Sequence, residues 1–372
     1  MYIKMGLDIK SVLVADGVGS NCQEILNSHG IHVVNRPKIS KQELLEEIPV
    51  MVRSASQVTK EVLDAGKKLK VVGRAGAGVD NIDVAAAGAN GIGVINAPGA
   101  NAMSACELTC GLMLALARHV VPAASALRAG RWERAQYTGT ELQGKTLAVL
   151  GLGRVGREVA VRMHAFGMTI VGFDPFVSAE QCKEFHTTKM ELEQIWPVAD
   201  YITLHTPLID STKSTYLFYI LYSIPYSLGQ QNSGSCFCLW LSNDTMCRFT
   251  CIEKNDFTDF INAVVLKKCK KGIKIVNVGR GGLIHERDLL DALNAGQVGA
   301  AALDVFEQEP PTDPLTLEII QHPAVIATPH LGASTKEAQV RVGQEIAEQL
   351  VNLVKPGTYP TPLAEVTRVF KQ

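Results

Sequence analysis

Three residues whose types suit hydride transfer at a hydroxyl-bearing carbon stand just past apolar runs. Arg280 follows IVNVG, Glu309 follows ALDVFEQ and His330 follows VIATP. In such chemistry a histidine takes the hydroxyl proton. A carboxylate raises its basicity and fixes its tautomer, and an arginine holds a substrate carboxylate or polarises a carbonyl. Taken singly, each has a plainer explanation. Arg280 reads as a surface charge, Glu309 as a loop carboxylate before Pro310, and His330 as a satisfied interior histidine. Together, at the carboxyl ends of strands where open α/β sheets place ligands, they read as a site.

What they stand beside sharpens that reading. Gly151-Leu152-Gly153-Arg154-Val155-Gly156 follows the apolar run TLAVL and opens the helical pattern REVAVRM. In that context Gly151 makes the tight turn, Gly153 lets a pyrophosphate approach the backbone, and Gly156 allows close helix–strand packing. The anion sits where helix N–H groups are unpaired. Asp174 closes the next strand at about the offset from which a carboxylate reaches a ribose 2′-hydroxyl. A carboxylate there repels a 2′-phosphate, so NAD is expected over NADP. A second run, Gly73-Arg74-Ala75-Gly76-Ala77-Gly78, lacks this spacing. It reads either as a tight crossover or as a cradle of amides for a substrate carboxylate, and both stay open.

These residues need an alternating scaffold, and the chain supplies one. SVLVAD, IHVVN, MVRSAS, KVVGRAG and GIGVINAP read as strands interleaved with helical stretches over residues 8–98. After the long apolar helix Asn101–His119 and the polar stretch RAGRWERAQYTGTEL, a second series begins: KTLAVLG, MTIVGFDP, YITLHTP, KIVNVG, GAALDVF and AVIATPH. Strands alternating with helices imply parallel sheets covered on both faces. The helix Ser334–Val354 carries enough charge to lie at a surface and is expected to return to the first series. Residues 215–260 show neither helical nor strand period and hold four of the nine cysteines, so they read as an insertion. Cys236, Cys238, Cys247 and Cys251 match no strong zinc spacing, and no metal is expected.

Composition narrows the function classes. In 372 residues, 36 Lys+Arg stand against 37 Asp+Glu, so no global field favours nucleic acid or a membrane surface. Hydrophobic residues at 47 % exclude a disordered chain and leave material for two domains. No run reaches the roughly 20 apolar residues of a spanning helix, and no secretory leader is read at the N-terminus, so a cytoplasmic protein with free thiols is expected.

The stretches VVGRAGAGVDNID, GTELQGKTLAVLGLGRVGREVAVRMHAFGM, QIWPVADYITLHTPL, VNVGRGGLIHERDLLDAL, GAALDVFEQEP and TPHLGASTKEAQ resemble the D-2-hydroxyacid dehydrogenase family over nearly the whole chain. The resemblance implies two Rossmann-like or flavodoxin-like lobes with an interlobe cleft. Residues 8–98 with 331–360 would form a substrate-binding lid, and 99–330 an NAD-binding domain. It implies NAD-dependent oxidation of 3-phospho-D-glycerate, with other D-2-hydroxyacids, or a corepressor-like NAD sensor, as alternatives. Substrate contacts are implied for Arg53, Ser54, Gly78 and Asn101. Cofactor contacts are implied for Gly151, Gly153, Arg154, Val155, Gly156, Asp174, Thr206, Pro207, Gly279, Asp304 and Gly332. Arg280, Glu309 and His330 keep the catalytic roles, and a homodimer or homotetramer is implied through the Asn101–His119 helix and the arm after it. Ala77 replaces the threonine of close relatives, the chain as written ends at Gln372 without the regulatory domains of longer forms, and the insertion leaves an inactive product as a third possibility.

Overall fold

The computed structural model describes residues 6–16, 19–36, 50–53, 56–67, 69–207, 230–233, 236–239, 260–367 and 369. The chain divides into two compact units, Met1–Ala105 with Leu331–Gln372, and Cys106–His330. Ser54 and most of the stretch expected as an insertion lie outside the described residues. Within that stretch two short strands, β10 (Gln230–Ser233) and β11 (Cys236–Leu239), pair antiparallel.

The first unit is built on five parallel strands: β1 (Ser11–Val14), β2 (His32–Asn35), β3 (Val50–Val52), β4 (Val71–Arg74) and β5 (Gly93–Asn96). They are ordered β2-β1-β3-β4-β5, the flavodoxin-like order. Strand residues point alternately to opposite faces, and here both faces are apolar. Val12, Val14, Met51, Val71 and Ile95 join one core with the helices Ser20–Ser28 and Lys336–Val354. Leu13, Val52, Val72 and Val94 join the other with the helices Lys60–Ala65 and Val84–Ala89.

The helix Lys336–Val354 does return to this unit, and it is buried more deeply than its charge suggested. Val342, Ile346, Ala347, Leu350 and Val351 form an apolar stripe against the sheet, while the charged residues occupy the opposite face. Beyond it the chain is tied down by side chains of the same helix. Asn352 donates to the carbonyls of Tyr359 and Thr361, and Gln349 accepts from the Ala364 amide. Residues 364–366 then pair with β5, with Asn96 N–H donating to Ala364 and Val366 N–H to Val94. This covers the open edge of the sheet.

The second unit holds β6 (Thr146–Leu150), β7 (Thr169–Phe173), β8 (Thr187–Lys189), β9 (Tyr201–Leu204), β12 (Ile273–Asn277), β13 (Val298–Leu303) and β14 (Val325–Ala327). The order β14-β13-β12-β9-β6-β7-β8 is parallel throughout. Read from β6, it is the doubly wound dinucleotide order with one further strand. The sheet therefore reverses direction of growth between β6 and β9, and ligands of such sheets bind at the carboxyl ends of those two strands. The long apolar helix ends at Arg118. His119 takes a left-handed conformation (φ 53°), and the chain resumes at 67° as the helix Val120–Arg128. Among the described residues no single helix is long and apolar enough to cross a membrane.

Candidate active site

The glycine turn after β6 has three distinct jobs, and the packing separates them. Gly151 has φ +94°, and a Cβ there would stand 2.7 Å from the carbonyl of His205 at the end of β9. A Cβ on Gly156 would stand 2.0 Å from the Gly151 carbonyl, so the helix Arg154–Ala165 can start this close only on glycine. Gly153 differs: nothing lies within 4 Å of its Cβ direction. Gly153 and Arg154 are both exposed where the helix begins.

Leu152, between these glycines, is gripped from both sides. Its amide donates to Asp174 Oδ2 at 2.9 Å, and its carbonyl accepts from Arg157 Nε at 2.8 Å. Asp174 also accepts from the Phe176 amide at 2.9 Å, which aims the carboxylate while leaving acceptor capacity on both oxygens. Across the turn, Thr206 Oγ1 is buried with no partner among the described residues. A buried hydroxyl without a partner is costly, and here it belongs to the residue whose amide lies 2.9 Å from the Cβ direction of Gly151. An orphaned hydroxyl, a backbone free of side chains and a carboxylate at the strand end together fit a dinucleotide. His205 next to it is held neutral: burial pushes its pKa down to about 4, and its Nε2 meets Thr203 Oγ1 at 3.0 Å.

Arg280, Glu309 and His330 come from the carboxyl ends of β12, β13 and β14 respectively. His330 Nδ1 meets Glu309 Oε2 at 2.6 Å. Burial works to raise the Glu309 pKa, but the hydrogen bond and charge of His330, the Phe306 amide and the Arg280 charge hold it below the ordinary carboxylate range. His330 sits at φ 53°, unusual for a residue with a side chain. Its amide donates to Asp304 and Thr328 carbonyls, which pins that conformation. With Nδ1 committed to Glu309, Nε2 is the free ring nitrogen. The pair lines a pocket of about 400 Å³ with Phe306, Pro310, Pro311 and Ile320. Arg280 Nη1 donates to the Gly279 carbonyl at 2.7 Å.

Behind this group one buried polar residue, Asn277, carries no motif, and sequence reasoning missed it. Asn277, 2 % exposed, donates to the Arg280 carbonyl and accepts from the Gly279 amide, folding that turn around its side chain. Asp304 is fully buried and accepts from Thr328 Oγ1 at 2.5 Å. Asp304 and Gly279 thus sit among the catalytic candidates. Pro207 follows Thr206 past β9, and Gly332 falls in the other unit.

In the first unit, Arg53 follows β3, whose Val52 pairs with Arg74 at the end of β4. Two arginines therefore end adjacent parallel strands. Arg53 is half-buried, so burial lowers its pKa while the Asp16 charge opposes that. Asp16 accepts from the amides of Arg53 and Ser56 and from Ser56 Oγ, and Asn81 donates to the carbonyls of both residues. Gly78 and Asn101 are partly buried. The run Gly73–Gly78 leads into bends, with Gly76 at φ +150° and the next helix starting only at Val84.

Residues 12–364 match the family model described as D-isomer specific 2-hydroxyacid dehydrogenase, catalytic domain. The chain is 43 % identical over 352 residues to D-3-phosphoglycerate dehydrogenase of Rattus norvegicus, covering 94 % of this chain and 57 % of that protein. It thus spans a little over half the length of that relative. A glyoxylate reductase from Paecilomyes thermophila superposes with a TM-score of 0.74 at 26 % identity, covering 97 % of this chain and 99 % of that one. A D-lactate dehydrogenase from Aquifex aeolicus, complexed with NAD and lactic acid, shares the fold with a TM-score of 0.71 at 22 % identity, covering 92 % and 95 %.

Proposed function

The chain belongs to the D-isomer specific 2-hydroxyacid dehydrogenase family, and from that premise we propose that it oxidises 3-phospho-D-glycerate to 3-phosphohydroxypyruvate with NAD, the entry reaction of L-serine synthesis. The observation that carries the proposal is the His330–Glu309 hydrogen bond of 2.6 Å, formed in the unit that holds the dinucleotide turn. The name of the 43 % identical relative supports the substrate, as does an arginine at Arg53, whose planar fork of donors suits a phosphate. Substrate contacts by Arg53, Ser54, Gly78 and Asn101 are part of the same proposal.

The glycine turn, Asp174 and Thr206 are the residues that hold the cofactor in this reading, with Arg154, Val155, Pro207, Gly279, Asp304 and Gly332 lining it. NAD, when bound, supplies the hydride acceptor. His330 removes the hydroxyl proton at Nε2. Glu309 stabilises the imidazolium that results and holds Nδ1–H as the donor. Arg280 holds the substrate carboxylate, and its charge also keeps Glu309 ionised.

The test is NADH formation by the purified chain with 3-phosphoglycerate and NAD. Turnover of glyoxylate or hydroxypyruvate alone would replace the substrate and keep the reaction class. NAD binding without turnover of any 2-hydroxyacid would replace the enzyme with a nucleotide-sensing protein. The same proposal includes self-association through the Asn101–His119 helix and the arm after it, to which the helix Val120–Arg128 between them adds exposed apolar surface. Val120, Val121 and Leu127 are exposed there, and Trp132 is 81 % exposed.

A further inference from the structure

Glu286 is a buried carboxylate with no ion pair among the described residues, and the proposed reaction does not use it. It is 8 % exposed and opens the helix Glu286–Asn294, whose first turn favours an anion. A carboxylate so placed needs hydrogen-bond donors, and both of its donors come from one segment. Glu286 Oε1 accepts from the Glu307 amide at 3.0 Å, and Oε2 accepts a short bond from Thr316 Oγ1. Thr316 is 1 % exposed and lies in the first turn of the helix Pro314–Gln321. Between these two anchors runs the loop that carries Glu309.

The rest of the loop is held just as firmly at its start. A Cβ on Gly281 would stand 1.8 Å from the Phe306 carbonyl, so the turn after Arg280 rests directly on the loop backbone. The Phe306 amide donates to Glu309 Oε1 at 3.2 Å. Glu286 closes the remaining side by fixing residue 307 and residue 316 to one carboxylate. An apolar residue at 286 would fill the space but remove the carboxylate that accepts from the Glu307 amide and the Thr316 hydroxyl.

We infer that Glu286 is a positioning residue for the proposed reaction: through Glu307 and Thr316 it holds the loop so that Glu309 stays against His330. This inference rests on the acid–base reading of that pair. The charged groups around the pair are Arg280, whose charge reaches Glu309, and Asp304, engaged by Thr328. Among the described residues Glu286 forms no ion pair, and its two hydrogen bonds go to residue 307 and residue 316, so its influence passes through loop geometry.

The test compares the pH dependence of kcat/KM for hydroxyacid oxidation in E286Q, T316V and E309Q. Oxidation needs the neutral imidazole, and a nearby carboxylate raises the imidazole pKa. Loosening Glu309 therefore moves the acid limb to lower pH. E309Q is expected to shift it furthest, E286Q part of the way, and T316V in the same direction. NADH binding, read by fluorescence, is expected to stay unchanged in E286Q, because the glycine turn and Asp174 do not touch residue 286. If E309Q leaves the limb in place, the acid–base reading itself fails. If E309Q moves it while E286Q and T316V lower activity equally at every pH, Glu286 is merely structural and the inference is overturned. Should E286Q not fold, T316V alone decides the question by the same shift.

Discussion

Single residues separate into those that type and position reveal and those that only packing reveals. Arg280, Glu309 and His330 are legible because polar residues of the right chemistry follow three apolar runs. Asn277, Glu286 and Thr316 are not, because a buried polar side chain declares its role only through neighbours distant in sequence. Replacing His330 with Asn should leave NAD binding intact and lower kcat roughly 10²–10⁴-fold, the usual contribution of a positioned general base. Steady-state turnover against a cofactor titration checks this. His205 supports a pH prediction of a different kind. The fold holds its ring neutral, with a pKa near 4 against an ordinary 6.5, so the unfolded chain takes up a proton first as pH drops. Its contribution to stability is complete above about 6.5 and is lost progressively towards about 4, on the order of 3 kcal/mol over the window. Chemical denaturation of H205Q should show a flatter dependence than the parent across that range. An unchanged slope would mean that His205 does not drive it.

At the scale of elements, the pattern of apolar runs and glycine punctuation announced both sheets and three of their edge strands, while one edge strand and the cover of another edge stayed hidden. The strand Thr187–Lys189 is only three residues of TTK, and its period is too short to read. The closing of the β5 edge by residues 364–366 depends on Gln349 and Asn352 reaching out of a helix, which no local pattern encodes. The glycine turn was legible as a motif, and the structure divides its labour. Gly153 faces open space at φ −74°, whereas Gly156 abuts the Gly151 carbonyl. G153A is therefore expected to melt like the parent and to bind NAD about tenfold or more weakly, a difference of about 1.4 kcal/mol. G156A is expected to lose stability by about 1–3 kcal/mol through overpacking. Thermal melts paired with NAD titrations distinguish the two. The opposite assignment, with G153A unstable and G156A merely weak in binding, would refute this division.

For the whole molecule, the sequence separated two α/β series and an interruption within the second. The structure adds where the interruption attaches. Phe260, the last residue of that stretch, packs in the core of the second unit and meets Trp196 edge-on at 6.4 Å. The Ile261 amide donates to the Leu283 carbonyl, just past the carboxyl end of β12. The helix Ala263–Lys268 then leads to the start of β12, which pairs in register with β9. From Phe260 onward the described residues thus lead from the core of the second unit into β12. Replacing residues 212–258 by a short Gly/Ser linker is expected to preserve the melting temperature and NADH formation. A chain that no longer folds after this excision would give the stretch a structural part.

The interleaving of the units also sets an order of events on the ribosome. The core formed by Val12, Val14, Met51 and Ile95 needs Val342, Ile346 and Leu350 to cover it, and the entire second unit is translated in between. At about 5–20 residues per second, one face of the first sheet waits on the order of ten seconds or more for its cover. Its open β5 edge waits longer still, until residue 366 emerges. The unit translated first is therefore the last to be completed, and in a living cell that interval is when this chain most needs a chaperone.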